Sequence, residues 1–502
     1  MKKLVLIRAL CSFFAVSALS APALTTAAHY LIVVPVKARP GVPQEPQIVV
    51  DLHAGPIPDA ERGVRYEYDL SGYLSVKGDP SFDANQVTWG GSGDLPQGLV
   101  LTKAAVLTGV PTTAGRARTF MVHAQYKEQA VAQTYSITVN GKTLHATKVV
   151  AGGAFSCAIT AAGGVMCWGL NGQGQLGDGT RVQSDHPVQV VGLDSGVTDI
   201  ALGTFHACAI LQSGQVRCWG ENDRGQLGAG MTSEAEALPQ QVQGLSGVTS
   251  VALGSNFTCA ASAGAAYCWG SNSEGVLGTG ATGVGSSSVP VPVAGLELGV
   301  RSVTAAASHA CAVQDSGSGS RAACWGGNSE GRLGDLSTTG SRSTTPVTPT
   351  GLASGVTAVE SGHSSAHTCV VQNGSVKCWG QSNTGQVGTG GTMDVRTPSL
   401  VQLPGAVSQI TVGGTHTCAL AQGQGYCWGE GANGRLGIGF TDSMLTPVAV
   451  PALNSGVSQI SAGGYHSCAV QDGDAKCWGV GSVGRLGTGS QEDALMPQEV
   501  IR

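Results

Sequence analysis

The chain has 502 residues with a net charge of −5; only 12% are charged, 5% are aromatic, and 76 are glycine. Charged residues are about half, and glycine about twice, as frequent as usual, which argues against a mostly helical protein because glycine is costly inside helices. The slightly positive mean hydropathy of +0.11 and the small net charge argue against disorder. No basic run is present that could track nucleic-acid phosphates. We therefore expect an all-β chain with no nucleic-acid partner.

The N-terminus resembles an export signal. Lys2 and Lys3 precede an apolar stretch from Leu4 to Leu19, and small residues follow at Ser20, Ala21, Ala23, Ala27 and Ala28. This order of segments is typical of a secretory signal peptide, here residues 1–28 with cleavage after Ser20, Ala23 or Ala28, followed by a linker over 29–45. The alternative is a retained membrane anchor, but the polar break at Thr25–His29 leaves each apolar run too short to span a bilayer. No other stretch could span one, so we predict an exported protein, secreted, periplasmic or held at the cell surface.

Residues 46–141 form a separate N-terminal unit. Asp94–Leu101 reads DLPQGLVL, Leu107–Gly115 reads LTGVPTTAG, and Tyr135–Val139 alternates as a sandwich strand does. These segments resemble the Ig-like, cadherin-like domains of bacterial surface proteins. The resemblance implies a small β-sandwich that acts as a spacer or an adhesive module, with Asn140–Lys142 as the link to the next domain.

Residues 142–502 contain one sequence pattern repeated seven times. Cys-Trp-Gly recurs with its tryptophan at 168, 219, 269, 325, 379, 428 and 478. Each repeat has an alternating apolar run, usually His-x-Cys, a glycine-bearing turn, Cys-Trp-Gly, and then Gly-x-Leu-Gly. Runs of four to six residues between turn residues predict about four short strands per repeat. Seven such units favour a closed ring of blades over an open solenoid, because a solenoid needs atypical capping ends and the last repeat here is regular.

The cysteines also follow the repeat. Cys11 belongs to the export signal, and the other fourteen form one local pair per repeat: Cys157 with Cys167, Cys208 with Cys218, Cys259 with Cys268, Cys311 with Cys324, Cys369 with Cys378, Cys418 with Cys427, and Cys468 with Cys477. Opposed residues on a hairpin lie close to disulfide range, so we predict seven disulfides inside the blades and an oxidising compartment. The alternatives are free buried thiols and zinc, but two cysteines per repeat make half a zinc site and no C-x-x-C occurs.

The repeats resemble those of the regulator of chromosome condensation family. His416–Leu420 (HTCAL), Cys-Trp-Gly and Asn433–Gly437 (NGRLG) carry the likeness, which extends over about 146–502. The resemblance implies a seven-bladed β-propeller. The family includes a nuclear exchange factor for a small GTPase and secreted bacterial propellers, one of which inhibits β-lactamases. The cysteine pairs and the export signal differ from the nuclear members and argue against a nuclear, GTPase-directed role.

Histidines are the most conspicuous candidates for chemistry. One per repeat occurs in five repeats, at His206, His309, His367, His416 and His466, while Phe155 and Phe257 fill the same position in the other two. Because these side chains should lie a blade apart, we predict a turn or packing role and no metal. His363 lies four residues before His367 on an expected loop or strand, where that spacing has no helical meaning. No catalytic constellation is found, so we predict a non-enzyme without cofactor.

The residue before each of these positions is the candidate for recognition. It varies from repeat to repeat, as Ala154, Phe205, Asn256, Ser308, Ala366, Thr415 and Tyr465, and all seven should emerge on one face of the ring. We predict Phe205, Asn256 and Tyr465 as partner-binding residues; Phe205 and Tyr465 have the large aromatic side chains that are typical of binding hot spots.

The function predicted from the sequence is a secreted, disulfide-stabilised propeller that binds an extracellular or envelope protein, or a surface polymer, without catalysing a reaction. Such a scaffold would be adhesive, inhibitory or structural. The first alternative is an extracellular propeller enzyme acting on glycans or polymers, which requires carboxylates or histidines within hydrogen-bond reach in the central channel. The second is an intracellular exchange-factor-like regulator, which requires reduced cysteines.

Overall fold

The computed structural model describes residues 47–62, 64–111, 115–281, 285–317, 319–336 and 340–502. The predicted signal peptide (1–28) and linker (29–45) lie outside the described residues. The described part is nearly all β, as predicted. Its helical segments are six 3-10 turns of three residues each: Ser71–Tyr73, Ala84–Gln86, Ser273–Gly275, Ser329–Gly331, Ala432–Gly434 and Ser482–Gly484.

The N-terminal unit is a small Ig-like assembly of three sheets. Its strands are β1 (Val49–Leu52), β2 (Ala60–Glu61), β3 (Tyr66–Asp69), β4 (Leu74–Lys77), β5 (Thr88–Gly93), β6 (Leu99–Leu101), β7 (Val106–Gly109), β8 (Gly115–Tyr126) and β9 (Gln129–Asn140). The sheets have the orders β1-β4, β3-β7-β6 and β2-β9-β8-β5. The predicted final strand is part of β9, where Tyr135, Ile137 and Val139 alternate into the core beside Phe120.

Seven four-stranded antiparallel sheets follow, one per repeat. Blade 1 contains β10 to β13 (Ala146–Ala151, Phe155–Thr160, Val165–Gly169, Ser184–Gln189) and blade 2 contains β14 to β17 (Val197–Leu202, His206–Leu211, Val216–Glu221, Ala235–Gln241). Blade 3 contains β18 to β21 (Val248–Leu253, Phe257–Ser262, Ala265–Gly270, Ser287–Pro292) and blade 4 contains β22 to β25 (Val300–Ala305, His309–Ser316, Gly319–Gly327, Arg342–Val347). Blades 5, 6 and 7 contain β26 to β29 (Val356–Glu360, His367–Gln372, Ser375–Gly380, Val395–Val401), β30 to β33 (Val407–Val412, His416–Ala421, Gln424–Gly429, Met444–Ala449) and β34 to β37 (Val457–Ala462, His466–Gln471, Asp474–Gly479, Ala494–Glu499).

The tryptophan of Cys-Trp-Gly joins each blade to the one before it. All seven indoles are fully buried. Each Nε1 donates a hydrogen bond of 2.8–3.0 Å to the carbonyl of the variable residue in the preceding Gly-x-Leu-Gly loop. Trp219 thus bonds Gln175, and a Cβ at Gly177 (φ +68°) would lie 2.8 Å from its Nε1. The repeated glycine therefore meets both a backbone requirement and a packing requirement.

All four strands of blade 7 belong to the last repeat, and the segment that precedes blade 1 bonds to this blade where the ring closes. Trp168 of blade 1 bonds the carbonyl of Arg485 in blade 7. After blades 1, 3, 4 and 6 a buried linker leucine bonds back to the blade it leaves; Leu193, for example, donates to Val190 and accepts from Val165. At blade 7 the corresponding place is filled by Leu144, which donates to Val500 and accepts from Ala475. The segment before blade 1 therefore completes blade 7, which the sequence did not reveal.

Candidate binding face and central channel

The seven predicted recognition positions lie at equivalent places on one end of the blades. In every blade the carbonyl of this residue accepts a hydrogen bond from the amide that follows Cys-Trp-Gly, as Phe205 does from Glu221. The Gly-x-Leu-Gly loops emerge at the same end of the strands. We call this end, made of the seven recognition positions and the seven loops, the loop face.

Tyr465 is the most prominent side chain among the three residues predicted to bind a partner. It is 54% exposed, and the guanidinium of Arg435 lies 5.3 Å from its ring centroid, in range for a cation–π contact. Arg435 is itself fixed by hydrogen bonds of 2.8 Å to Glu430 and 2.9 Å to the Thr415 hydroxyl. Burial lowers the pKa of Arg435 while Glu430 opposes that shift, so this cation is held in place below an accessible aromatic ring.

Asn256 and Phe205 are half-buried and lie in a more acidic part of the loop face. The Asn256 amide donates 3.2 Å to Glu221, which also accepts from Gln226. Burial raises the pKa of the Glu221 carboxyl, and Asp223 adds to the rise. The loop face thus has the carboxylates Glu221 and Asp223 at blade 2, beside Asn256 of blade 3, and arginines at blades 6 and 7.

The sequence reasoning missed the arginines of this face. They stand at the variable position of Gly-x-Leu-Gly, which reads Gln175, Gln226, Val276, Arg332, Gln386, Arg435 and Arg485 around the ring. The signal was present in the sequence as three charged residues at one position of the repeat. What the sequence did not show is that this position lies beside the recognition residues.

The five repeat histidines form inter-blade hydrogen bonds inside the ring. Each Nε2 lies 2.7–3.0 Å from a serine or threonine hydroxyl of the next blade. Four of these hydroxyls donate to a loop carbonyl at 2.8–2.9 Å, so they must accept from a protonated Nε2. Burial lowers the pKa of all five imidazoles, that of His206 to about 3. They are therefore neutral structural groups, in agreement with the predicted packing role.

The residue that the next blade places against each of these seven positions depends on whether the position holds histidine or phenylalanine. His206 in blade 2 meets Thr258 in blade 3. Where phenylalanine replaces the histidine, the next blade has alanine in place of the hydroxyl residue: Phe155 packs with Ala207, and Phe257 packs with Ala310. Seven interfaces therefore use two compatible pairs, one polar and one apolar.

The inner strands surround a central channel with a cavity of about 280 Å³. Three charged side chains line it: Lys148, Asp199 and Glu360. Lys148 forms an ion pair with Asp199. Among the described residues, no hydrogen bond joins Asp199 to Glu360, and no group of three or more His, Cys, Asp or Glu side chains is placed to hold a metal ion. His363 also lines the cavity, although its spacing from His367 predicted no role.

The cysteine pairs bond as the sequence predicted. Seven disulfides join directly opposed residues of the second and third strands of each blade, with Cα atoms 4.0–4.1 Å apart. The bonded pairs, from blade 1 to blade 7, are Cys157 with Cys167, Cys208 with Cys218, Cys259 with Cys268, Cys311 with Cys324, Cys369 with Cys378, Cys418 with Cys427, and Cys468 with Cys477. All fourteen cysteines are completely buried. Each disulfide therefore lies inside its own blade and leaves no half-cystine on the loop face or in the channel.

One further finding concerns membranes. No helix in the described ranges combines the length and the apolarity that crossing a bilayer would require.

These features define a seven-bladed β-propeller with one variable face and a polar channel. Family comparisons agree: segments of the chain match the family described as "Regulator of chromosome condensation (RCC1) repeat" at residues 162–210, 213–261, 263–313, 373–420 and 422–470, with a second match of the same description at 146–175 and 197–226. The chain belongs to this repeat family. Residues 48–140 match the family described as "Putative Ig domain".

The relatives found by sequence match this chain over a small part of their own length. The sequence is 41% identical over 122 residues to E3 ubiquitin-protein ligase HERC2 of Homo sapiens, which is 24% of this chain and 2% of that protein. It is 31% identical over 279 residues to Probable E3 ubiquitin-protein ligase HERC6 of Homo sapiens, 54% of this chain and 22% of that one. This chain therefore spans less than a quarter of either relative.

Solved structures show the same fold at lower identity. Yeast RCC1 (Prp20), solved with bound Kap60, superimposes with a TM-score of 0.59 at 23% identity, covering 68% of this chain and 84% of that one. Human WBSCR16 gives 0.58 at 22% identity, covering 67% and 93%.

Proposed function

We propose that this protein is an exported, disulfide-stabilised, non-catalytic scaffold that binds an extracellular or envelope protein, or a surface polymer, through its loop face. The observation that carries the proposal is the exposed ring of Tyr465 above the fixed Arg435 cation. An accessible aromatic side chain combined with an ordered arginine is the composition of a protein-binding hot spot.

The rest of the molecule supports this role. The interior of every blade is held by a buried disulfide and by inter-blade bonds, so the fold tolerates variation at its loop ends. Yeast RCC1 is solved with bound Kap60, and Prp20p is described with binding properties to Gsp1p and histones, which is consistent with protein binding by propellers of this type. The Ig-like unit would act as a spacer or an adhesive module.

Export and oxidation are tested by the intact mass of the natively produced protein, before and after reduction. We expect cleavage within residues 20–28 and a gain of about 14 Da on reduction, as seven disulfides in an oxidising compartment require. An uncleaved chain with free thiols would instead support the intracellular regulator.

Binding through the loop face is tested with a photo-crosslinking amino acid at position 465 in the producing cell. The matched control is position 298, because Leu298 is 76% exposed and belongs to a linker at the opposite end of the blades. We expect a discrete cross-linked partner from position 465 alone, and weaker binding of that partner by Tyr465→Ala. Equal cross-linking from position 298, or a partner whose affinity is unchanged by Tyr465→Ala, would contradict the proposal.

A further inference from the structure

Three of the seven blades make the same hydrogen bond at their channel-facing strands. In blades 4, 6 and 7, a hydroxyl at the fifth position of the inner strand accepts a hydrogen bond from a backbone amide of the next blade. Thr304 accepts from Ser361, Thr411 from Ala462, and Ser461 from Ala151, at 2.9–3.1 Å. These bonds satisfy the neighbouring strand and leave the side chains with a structural role.

Glu360 occupies the same position in blade 5, whereas blades 1, 2 and 3 have the apolar residues Val150, Ala201 and Ala252 there. Among the described residues, no hydrogen bond or ion pair engages its carboxylate, although the side chain lines the cavity. The other two charges of the channel, Lys148 and Asp199, neutralise each other. Burial raises the pKa of Glu360 to about 7; Lys148 lowers it and Asp199 raises it further. The channel therefore contains one carboxylate without a counter-charge, which is costly unless it is paired or protonated.

His363 adds a second unpaired group to the same cavity. The loop between the first and second strands is two residues longer in blade 5 than in blade 2. It joins Gly362 to His367 in blade 5 and Gly203 to His206 in blade 2. The longer loop passes blade 4, and the His363 carbonyl accepts a hydrogen bond of 3.1 Å from Ser255 of blade 3. The imidazole is 4% exposed, and its Nε2 has no hydrogen-bond partner among the described residues. Burial lowers its pKa to about 4, so it is a neutral polar group in the wall of the cavity.

We propose that the channel cavity beside Glu360 and His363 binds a small organic cation that carries N–H donors, such as a primary ammonium or a guanidinium group. The charge would pair with the Glu360 carboxylate, the N–H donors would bond its oxygens, and His363 would form part of the surrounding wall. A cavity of about 280 Å³ lies at the lower end of ligand-site volumes, which limits the occupant to a small molecule or a single side chain. This inference is independent of the loop-face proposal.

The test is a ligand-observed NMR titration of the full disulfide-bonded protein. The probes are propylammonium, tetramethylammonium, which lacks N–H donors, and Nα-acetyl-lysine methylamide, which represents a lysine side chain of a partner protein. The variants are Glu360→Gln, which keeps the shape of the side chain, and His363→Phe. Glu297→Gln is the control, because Glu297 is an exposed carboxylate on a surface linker. Thermal unfolding of each variant verifies that it is folded.

We expect saturable binding of propylammonium, weakened about tenfold or more by Glu360→Gln, as loss of a charged hydrogen bond implies. His363→Phe should weaken it less, and Glu297→Gln should leave it unchanged. Tighter binding of the lysine derivative would mark a partner's side chain as the source of the cation, and tighter binding of propylammonium would mark a free amine. The proposal is overturned if propylammonium does not saturate, if Glu360→Gln binds as tightly as the native protein, or if tetramethylammonium binds equally well.

Discussion

The two kinds of inter-blade pair can be exchanged by mutation. We predict that His206→Phe combined with Thr258→Ala is far less destabilising than the single changes suggest, because it recreates the apolar pair seen at Phe155 and Ala207. Thr258→Ala alone leaves the buried Nε2–H of His206 without its acceptor, at a cost of about 1–3 kcal/mol. His206→Phe alone places an apolar ring against a buried hydroxyl. The coupling energy should therefore be about 1–2 kcal/mol in favour of the double change.

The same exchange alters the dependence of stability on pH. The pKa of His206 is about 3 in the folded protein and about 6.5 when unfolded. The unfolded chain therefore binds more protons over this interval, and stability falls as the pH drops below about 6.5. For this histidine the loss between pH 7 and pH 5 is about 2 kcal/mol. The double variant should lose that much less than the native protein over the same interval.

The assay is urea unfolding of the native protein, both single variants and the double variant at pH 7 and pH 5, with the disulfides intact and the slope m compared. The reciprocal exchange, Phe155→His with Ala207→Thr, is the control and should also show favourable coupling. Destabilisation of the double variant by the full sum of the single effects would refute the pairing. An unchanged loss of stability between pH 7 and pH 5 would refute the neutral state of His206.

Three further predictions concern the glycines, the ring closure and the disulfides. Gly177→Ala should be less stable than Gly179→Ala by about 1–3 kcal/mol, because both have positive φ but only the first Cβ would press on Trp219; equal urea midpoints would contradict the contact. Leu144→Ala should lower the free energy of unfolding by about 2–5 kcal/mol, as truncation of a buried leucine does. Leu193→Ala should lower it by about as much. A loss seen only for Leu193→Ala would show that the segment before blade 1 does not complete blade 7. Treatment with dithiothreitol should leave no thiol available for alkylation in the native protein, because every half-cystine is buried. In urea all fourteen should be reduced and alkylated. Thiols that react without urea would show that the blades open locally.

Much of the fold could be predicted because the repeat is local. Cys-Trp-Gly, the glycine turns and the alternating runs each report on neighbouring residues, and seven copies make the strand count and the propeller secure. The cysteine pairs were predictable for the same reason, since Cys157 and Cys167 face each other across a single hairpin. The structural role of the repeat histidines also followed, because side chains one blade apart do not converge on a metal ion.

The tertiary structure decided what depends on contacts between distant segments. Leu144 completes a blade whose strands begin more than three hundred residues later. Arg435 belongs to the repeat in the sequence, yet only the packed ring places it under Tyr465 of the next blade. Glu360 resembles any inner-strand residue until the packed ring shows that three equivalent hydroxyls bond the neighbouring blade, whereas its carboxylate has no partner among the described residues. Local periodicity specifies each blade, whereas the closure, the binding face and the channel arise from side chains that meet only when seven blades pack around one axis.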